Sequence, residues 1–119
     1  MEKILIADDE ELMRQLVIDF LKPEGYEIIE AADGKVALEK YHSEHPDLIL
    51  LDVMMPKMDG FTMVKLIRKT DTHTPVLFLS ARSAANDVVE GFELGGNDYL
   101  KKPFGMAELI VRIKALLHK

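Results

Sequence analysis

The chain has no cysteine among its 119 residues. That excludes disulfides, thiolate zinc sites and thiol catalysis, and it suits a reducing cytosol. Long hydrophobic runs are missing too. The most apolar stretch, Leu48 to Leu51, is strand-sized and far short of the ~18 residues of a membrane span. Seven glycines and five prolines are scattered rather than clustered, so low-complexity sequence is excluded. Positive charge is in short supply: the formal net charge is −6, which makes the chain by itself a poor electrostatic partner for nucleic acid. Met1-Glu2-Lys3 runs straight into a short apolar segment, without the pattern of a signal peptide. What is present is a 48% hydrophobic fraction, sufficient for the core of one domain, and a 30% charged fraction to cover it.

Hydrophobic periodicity alternates along the chain. Lys3-Ile-Leu-Ile-Ala7 reads as a buried strand ending at Asp8-Asp9. From Glu10 the period becomes helical, with Leu12, Leu16 and Phe20 in one line and Met13 and Val17 beside it, until Pro23 and Gly25 stop it. Tyr26 to Glu30 forms a second strand, and Asp33 is placed to cap a helix carrying Val36, Ala37, Leu38 and Tyr41. Leu48 to Leu51 is a third strand, followed by Asp52. A loop marked by Pro56 and Asp59-Gly60 leads to a helix striped by Phe61, Val64 and Ile67. Pro75 to Leu79 is a fourth strand running into Ser80. A helix with Val88, Val89, Phe92 and Leu94 closes at Gly95-Gly96. Asp98 to Lys101 is a fifth strand, and Leu109, Ile110, Ile113, Leu116 and Leu117 stripe the last helix. Successive strands are about 20 residues apart, a crossover length for a helix and not for a hairpin. The expectation is one α/β domain over residues 1–119, a five-stranded parallel sheet doubly wound by helices.

In a parallel sheet all strand C-termini share one edge, where open α/β folds bind their ligands. That edge here would gather Asp8 and Asp9, Asp52, Ser80, and Lys101 or Lys102. Each has a bland reading alone. Asp8-Asp9 or Ser80 could cap the following helix, and Lys102 could be a solvated charge. Their joint position at four strand ends is the signal. Clustered carboxylates repel unless a cation sits among them, and hard oxygens suit Mg²⁺. A carboxylate is also a nucleophile towards phosphorus, and phosphoryl transfer needs a metal and cationic donors around it. His42, His45, His73 and His118 show no metal-ligand spacing and read as surface residues. Tyr41, Tyr99 and the seven methionines read by default as packing residues.

The acidic pair Asp8-Asp9, the run Asp47-Leu-Ile-Leu-Leu-Asp-Val-Met-Met-Pro56 and Met58-Asp-Gly60 carry a resemblance, together with Leu79-Ser-Ala-Arg82, Gly95-Gly-Asn-Asp-Tyr99 and Lys102-Pro-Phe104. With these, the chain resembles the receiver domain of two-component response regulators over essentially its whole length. The resemblance implies a flavodoxin-like sheet of order 2-1-3-4-5. It implies that Asp52 accepts a phosphoryl group from a histidine kinase, with Mg²⁺ (or Mn²⁺) held by Asp9, Asp52 and the Met54 backbone carbonyl, and by Asp8 through water. Ser80 matches the switch hydroxyl. Lys102 matches the phosphate-pairing lysine, ahead of a Lys102-Pro103 bond that is cis in the family. Phosphorylation would draw Ser80 towards the new oxygens, and Tyr99 would rotate inward behind it. Such a domain catalyses only its own phosphorylation and dephosphorylation. The positions of Met54 and Arg82 tune phosphoryl lifetime in the family.

The tail from Phe104 to Leu117 resembles the winged-helix (OmpR/PhoB-type) branch. That implies a cytoplasmic receiver cut from a longer transcription factor. It would form a homodimer on phosphorylation, contact DNA only through an output domain outside this chain, and have no membrane association. The branch dimerises through charge pairs on the surface of the fourth helix, fifth strand and fifth helix. Asp98 and Arg112 match one such pair, and Glu108 matches the acidic half of another. The expected basic partner falls at Val88, offered instead as an apolar contact, and an expected acid falls at Asn97. Two other readings stand beside this one. A Mg²⁺-dependent aspartyl phosphatase would want a second acid at Met54. A flavin-binding module would want a phosphate loop where Asp8 to Glu11 would repel phosphate.

Overall fold

Three strands bury every residue or nearly so, and they lie at the centre of the sheet. They are β1 (Lys3–Ala7), β3 (Leu48–Asp52) and β4 (Val76–Ser80). The less apolar β2 (Glu27–Ala31) and β5 (Asp98–Lys101) take the edges. The computed structural model, which describes residues 1–82 and 84–118, orders them β2-β1-β3-β4-β5, with every pairing parallel. The helices between them are α1 (Glu11–Leu21), α2 (Gly34–Glu44), α3 (Gly60–Ile67), α4 (Ala85–Glu93) and α5 (Met106–Leu117), with a 3₁₀ turn over Lys22–Glu24. The sequence reading of five parallel strands and five helices holds. Strands three and four extend one residue further than read, so Asp52 and Ser80 are the last residues of their strands.

Strand alternation divides the core into two layers. Leu5, Ile49, Leu51, Val76 and Phe78 face α2, α3 and α4, where Ala37, Phe61, Val64 and Ile67 meet them. Ile4, Ile6, Leu48, Leu50, Leu77 and Leu79 face α1 and α5, against Val17, Leu21, Leu109 and Ile113. Asp33 caps α2 as its position suggested, accepting a bond from the Val36 amide at 2.8 Å, and Asp59 does the same for α3 from Thr62.

Two helices turn a different face inward from the one that reads most strongly. On α1 the core side is Met13, Val17 and Leu21, whereas Leu12 is 86% exposed and Leu16 and Phe20 are nearly half exposed. Both lines have a four-residue spacing, offset by one residue and so by about 100° around the helix. Only one of them can meet a flat sheet. On α4 Val88 and Leu94 pack against the core, while Val89 and Phe92 are exposed. The buried centre of α4 is Gly91, where a Cβ would stand 3.1 Å from the rings of both Phe78 and Tyr99. Gly95 ends the turn after α4 at φ 109°, a left-handed conformation that favours glycine.

Candidate functional site

The C-terminal edge of the sheet gathers the polar strand ends. Asp8 follows β1 and is fully buried. Its Oδ1 accepts from the Glu10 amide at 2.9 Å and its Oδ2 from Lys102 Nζ at 2.8 Å. It does not cap α1: Glu10 holds that position, and its side chain makes no capping bond. Asp9 is exposed at the rim. Asp52 ends β3 with 6% of its surface exposed. The Met54 amide donates to its Oδ1 at 3.3 Å, and Lys102 Nζ lies 3.4 Å from its Oδ2. One carboxylate oxygen from each of Asp8, Asp9 and Asp52 lies within 4.8 Å of the other two, the one such group of acids and histidines among the described residues. An all-oxygen donor set of this kind fits a hard divalent cation such as Mg²⁺ or Mn²⁺.

Burial pushes the Asp52 carboxyl up to about 6, and the Asp8 charge adds to that push. Lys102 and the Met54 amide pull against it. Burial alone would lower Lys102, but the Asp8 carboxylate, with Asp52 beyond it, more than offsets this and holds the ammonium above its ordinary value. The two groups therefore move as expected for a lone cation set among several anions. Lys102 reaches the site because its own amide donates to the Ser80 carbonyl at 2.9 Å, continuing the strand pairing one residue past Lys101. Lys101 is exposed, on the opposite side of β5. The Lys102-Pro103 bond is cis.

Ser80 is buried, and its Oγ accepts from the Arg82 amide at 3.0 Å. It is not the cap of α4, whose N-terminal position is Ala84. Tyr99 is already inside. It is 8% exposed, its ring lies against Phe78, and its hydroxyl donates to the Arg82 carbonyl. The expected inward rotation thus has no distance to cover here, because Gly91 leaves the ring its space and the loop carbonyl accepts the hydroxyl's hydrogen bond.

The proposed dimer face differs from the reading in two respects. Val88 is partly buried and packs on the core side of α4, so it is corrected as a surface contact; the exposed large apolar residues of α4 and α5 are Val89, Phe92 and Val111. Arg112 pairs within its own chain, with Asp98 at 2.8 Å and Glu108 at 3.0 Å. All four histidines are exposed, as read. Met54 departs from the packing default and is 58% exposed, with its Sδ 3.8 Å from an Arg82 nitrogen. Sequence reasoning missed Glu10, whose Oε1 is 3.4 Å from Lys102 Nζ. Its position after Asp8-Asp9 was a signal, but it reads equally well as a first-turn helix acid.

Known proteins resemble this chain in both sequence and fold. The family model of the response regulator receiver domain matches residues 4–114. The chain is 45% identical over 118 residues to the alkaline phosphatase synthesis transcriptional regulatory protein PhoP of Bacillus subtilis, covering 99% of this chain and 49% of that protein. It is 46% identical to the probable transcriptional regulator ycf27 of Galdieria sulphuraria, of which it covers 46%. The chain thus spans about half the length of the curated relatives it matches. Among solved structures, the Francisella response regulator 1452 receiver domain superposes with a TM-score of 0.93 at 38% identity, covering 98% of this chain and 97% of that one. The BeF3-activated DrrB receiver domain superposes at 0.92 with 31% identity, covering 100% and 99%.

Proposed function

The chain belongs to the response regulator receiver domain family, the phosphorylation switches of two-component signalling, and from that premise we propose that Asp52 is its phosphoacceptor. The observation that carries the reading is the pocket itself: three carboxylates meeting within 4.8 Å, with one lysine ammonium on two of them. Asp9, Asp52 and the Met54 backbone carbonyl would hold Mg²⁺ or Mn²⁺, with Asp8 acting through water. The bound cation supplies neutralisation of the charge shared between carboxylate and phosphoryl oxygens.

In the proposed transfer an Asp52 oxygen attacks the phosphorus of a kinase phosphohistidine. The P–N bond breaks, its electron pair returns to the imidazole, and an aspartyl phosphate remains. Lys102 pairs with a phosphoryl oxygen and Ser80 Oγ turns its proton to another. Tyr99 already packs inward, so phosphorylation would act by tightening an arrangement that is already assembled. The chain would catalyse only its own phosphorylation and dephosphorylation.

The chain would act in the cytoplasm, and the partners proposed are a histidine kinase and a second copy of this chain. The copy would be met on phosphorylation through α4, β5 and α5, with Val89, Phe92 and Val111 as the apolar contacts. DNA would be reached only through an output domain outside this chain. No helix among the described residues is long and apolar enough to cross a membrane. The phosphatase alternative is weakened by the thioether of Met54 where it wants a second acid, and the flavin alternative by the acidic pocket.

Acetyl phosphate with Mg²⁺ tests the central step. Intact mass should show one added phosphoryl group on the wild type and none on Asp52→Asn. An adduct that persists in Asp52→Asn overturns the assignment.

A further inference from the structure

Lys102 carries three N–H donors and has three carboxylates around it. Asp8 lies at 2.8 Å, and Glu10 and Asp52 both at 3.4 Å. Asp8 and Asp52 belong to the pocket whose oxygens converge for a metal, and Glu10 does not. The Glu10 carbonyl accepts from the Arg14 amide at 3.1 Å, but its side chain does nothing for the helix. Glu10 stands at the N-terminal position of α1, yet its side chain makes no capping bond there. The side chain extends to the lysine while 64% exposed, so it can follow or release the ammonium without disturbing the core.

We infer that Glu10 is a positioning residue for phosphoryl transfer, an internal anion that occupies Lys102 and that the incoming phosphoryl group must displace. The inference rests on Asp52 as acceptor. The ammonium is saturated before transfer, so pairing with a phosphoryl oxygen requires one carboxylate to let go. Asp8 is buried, holds the shortest contact and is bound to the Glu10 amide as well. Asp52 is itself the reacting group. Glu10 is therefore the partner that yields, and its carboxylate opposes the transfer in proportion to its hold. An exposed ion pair has a modest hold that salt screens.

The test compares rates of phosphoryl uptake from acetyl phosphate with Mg²⁺, followed by intact mass at low and at high salt. Three proteins are used: wild type, Glu10→Gln and Glu11→Gln. Glu11 is exposed in the first turn of α1 and makes no contact with Lys102 in the structure. Its variant removes the same charge one residue away. Glu10→Gln should take up the group about two- to fivefold faster at low salt, the range a surface ion pair supports, with the gap closing at high salt. Glu11→Gln should stay within the wild-type range, and the Mg²⁺ concentration for half-maximal rate should be shared by all three. Equal acceleration in both variants would reduce Glu10 to a general field effect and overturn its positioning role. An unchanged or slower Glu10→Gln, or a gap indifferent to salt, also overturns the inference. A wild type that takes up no phosphoryl group fails the acceptor assignment itself, a result distinct from all of these.

Discussion

Asp52 and Asp71 are both withdrawn from water at opposite edges of the same sheet, and their carboxyls shift in opposite directions. Burial pushes both up. At Asp52 it prevails, to about 6, because the carboxylate has one amide at 3.3 Å, a lysine shared with other acids, and Asp8 beside it. At Asp71 it is overcome, and the carboxyl falls well below the ordinary range. Four donors account for this: Thr74 Oγ1 and Tyr41 OH, each at 2.6 Å, and the amides of His73 and Thr74 at 2.8 and 3.0 Å. The Tyr41 hydroxyl moves correspondingly up to about 12, through its own burial and its bond to Asp71. Asp71 ties the end of α3 to α2 and to the start of β4. Asp52 is held short of donors, as a group must be if it is to take a new partner.

The largest effect expected from this contrast is at Asp71. Asp71→Ala removes four hydrogen bonds and leaves a partly buried tyrosine hydroxyl without its acceptor, so unfolding free energy should fall by about 2–4 kcal/mol in chemical denaturation. The folded carboxyl titrates below its unfolded counterpart. Its contribution is therefore complete above about pH 4 and fades as acid is added below that. A variant as stable as the wild type at neutral pH would break the comparison at its structural end.

Asp52→Asn should move the other way. The folded carboxyl titrates near 6, above its unfolded value near 3.8, so the folded state binds the extra proton and ionisation costs stability. With Mg²⁺ removed by chelation, the variant should gain about 1–3 kcal/mol at neutral pH. That gain should shrink as the pH falls from about 6 to 4. A gain that is constant with pH, or a loss, would show that Asp52 is satisfied after all.

Beryllofluoride and Mg²⁺ should drive self-association of the wild type in sedimentation, and Val89→Glu should weaken it about tenfold, or about 1.4 kcal/mol. Arg112→Ala should matter less, because Arg112 is already paired in its own chain and a half-exposed ion pair is worth about 0–1 kcal/mol. If Val89→Glu associates as well as the wild type, this face does not carry the contact.

The smallest effect concerns Asp9, exposed at the rim of the carboxylate group. Without metal, Asp9→Ala should raise the unfolding free energy by up to about 1 kcal/mol by relieving repulsion, and Mg²⁺ should then stabilise the wild type more than the variant. A clearly lowered melting temperature would make Asp9 a structural residue like Asp71.

Much of the pocket is legible in the sequence, because it needs only local facts. Asp8, Asp52, Ser80 and Lys102 each stand where a strand pattern stops, and parallel strands bring such ends to one edge. Glu10 is not legible in the same way. Its partner is 92 residues away, and nothing near it says that its side chain leaves its own helix for a lysine. Asp71 carries no signal of its own either, since its four donors come from α2 and from the turn before β4.

The sequence by itself determined the element order, the parallel sheet, the cap at Asp33, the loop at Asp59-Gly60 and the polar edge, because periodicity, punctuation and capping act over a few residues. Tertiary structure alone decided which of two equally spaced apolar lines on α1 met the sheet. It also turned Val88 inward and left Val89 outside, seated Tyr99 against Phe78 under Gly91, and paired Arg112 with its own chain. Those outcomes depend on which surfaces remain free once the strands have assembled, and no short window of sequence contains that information.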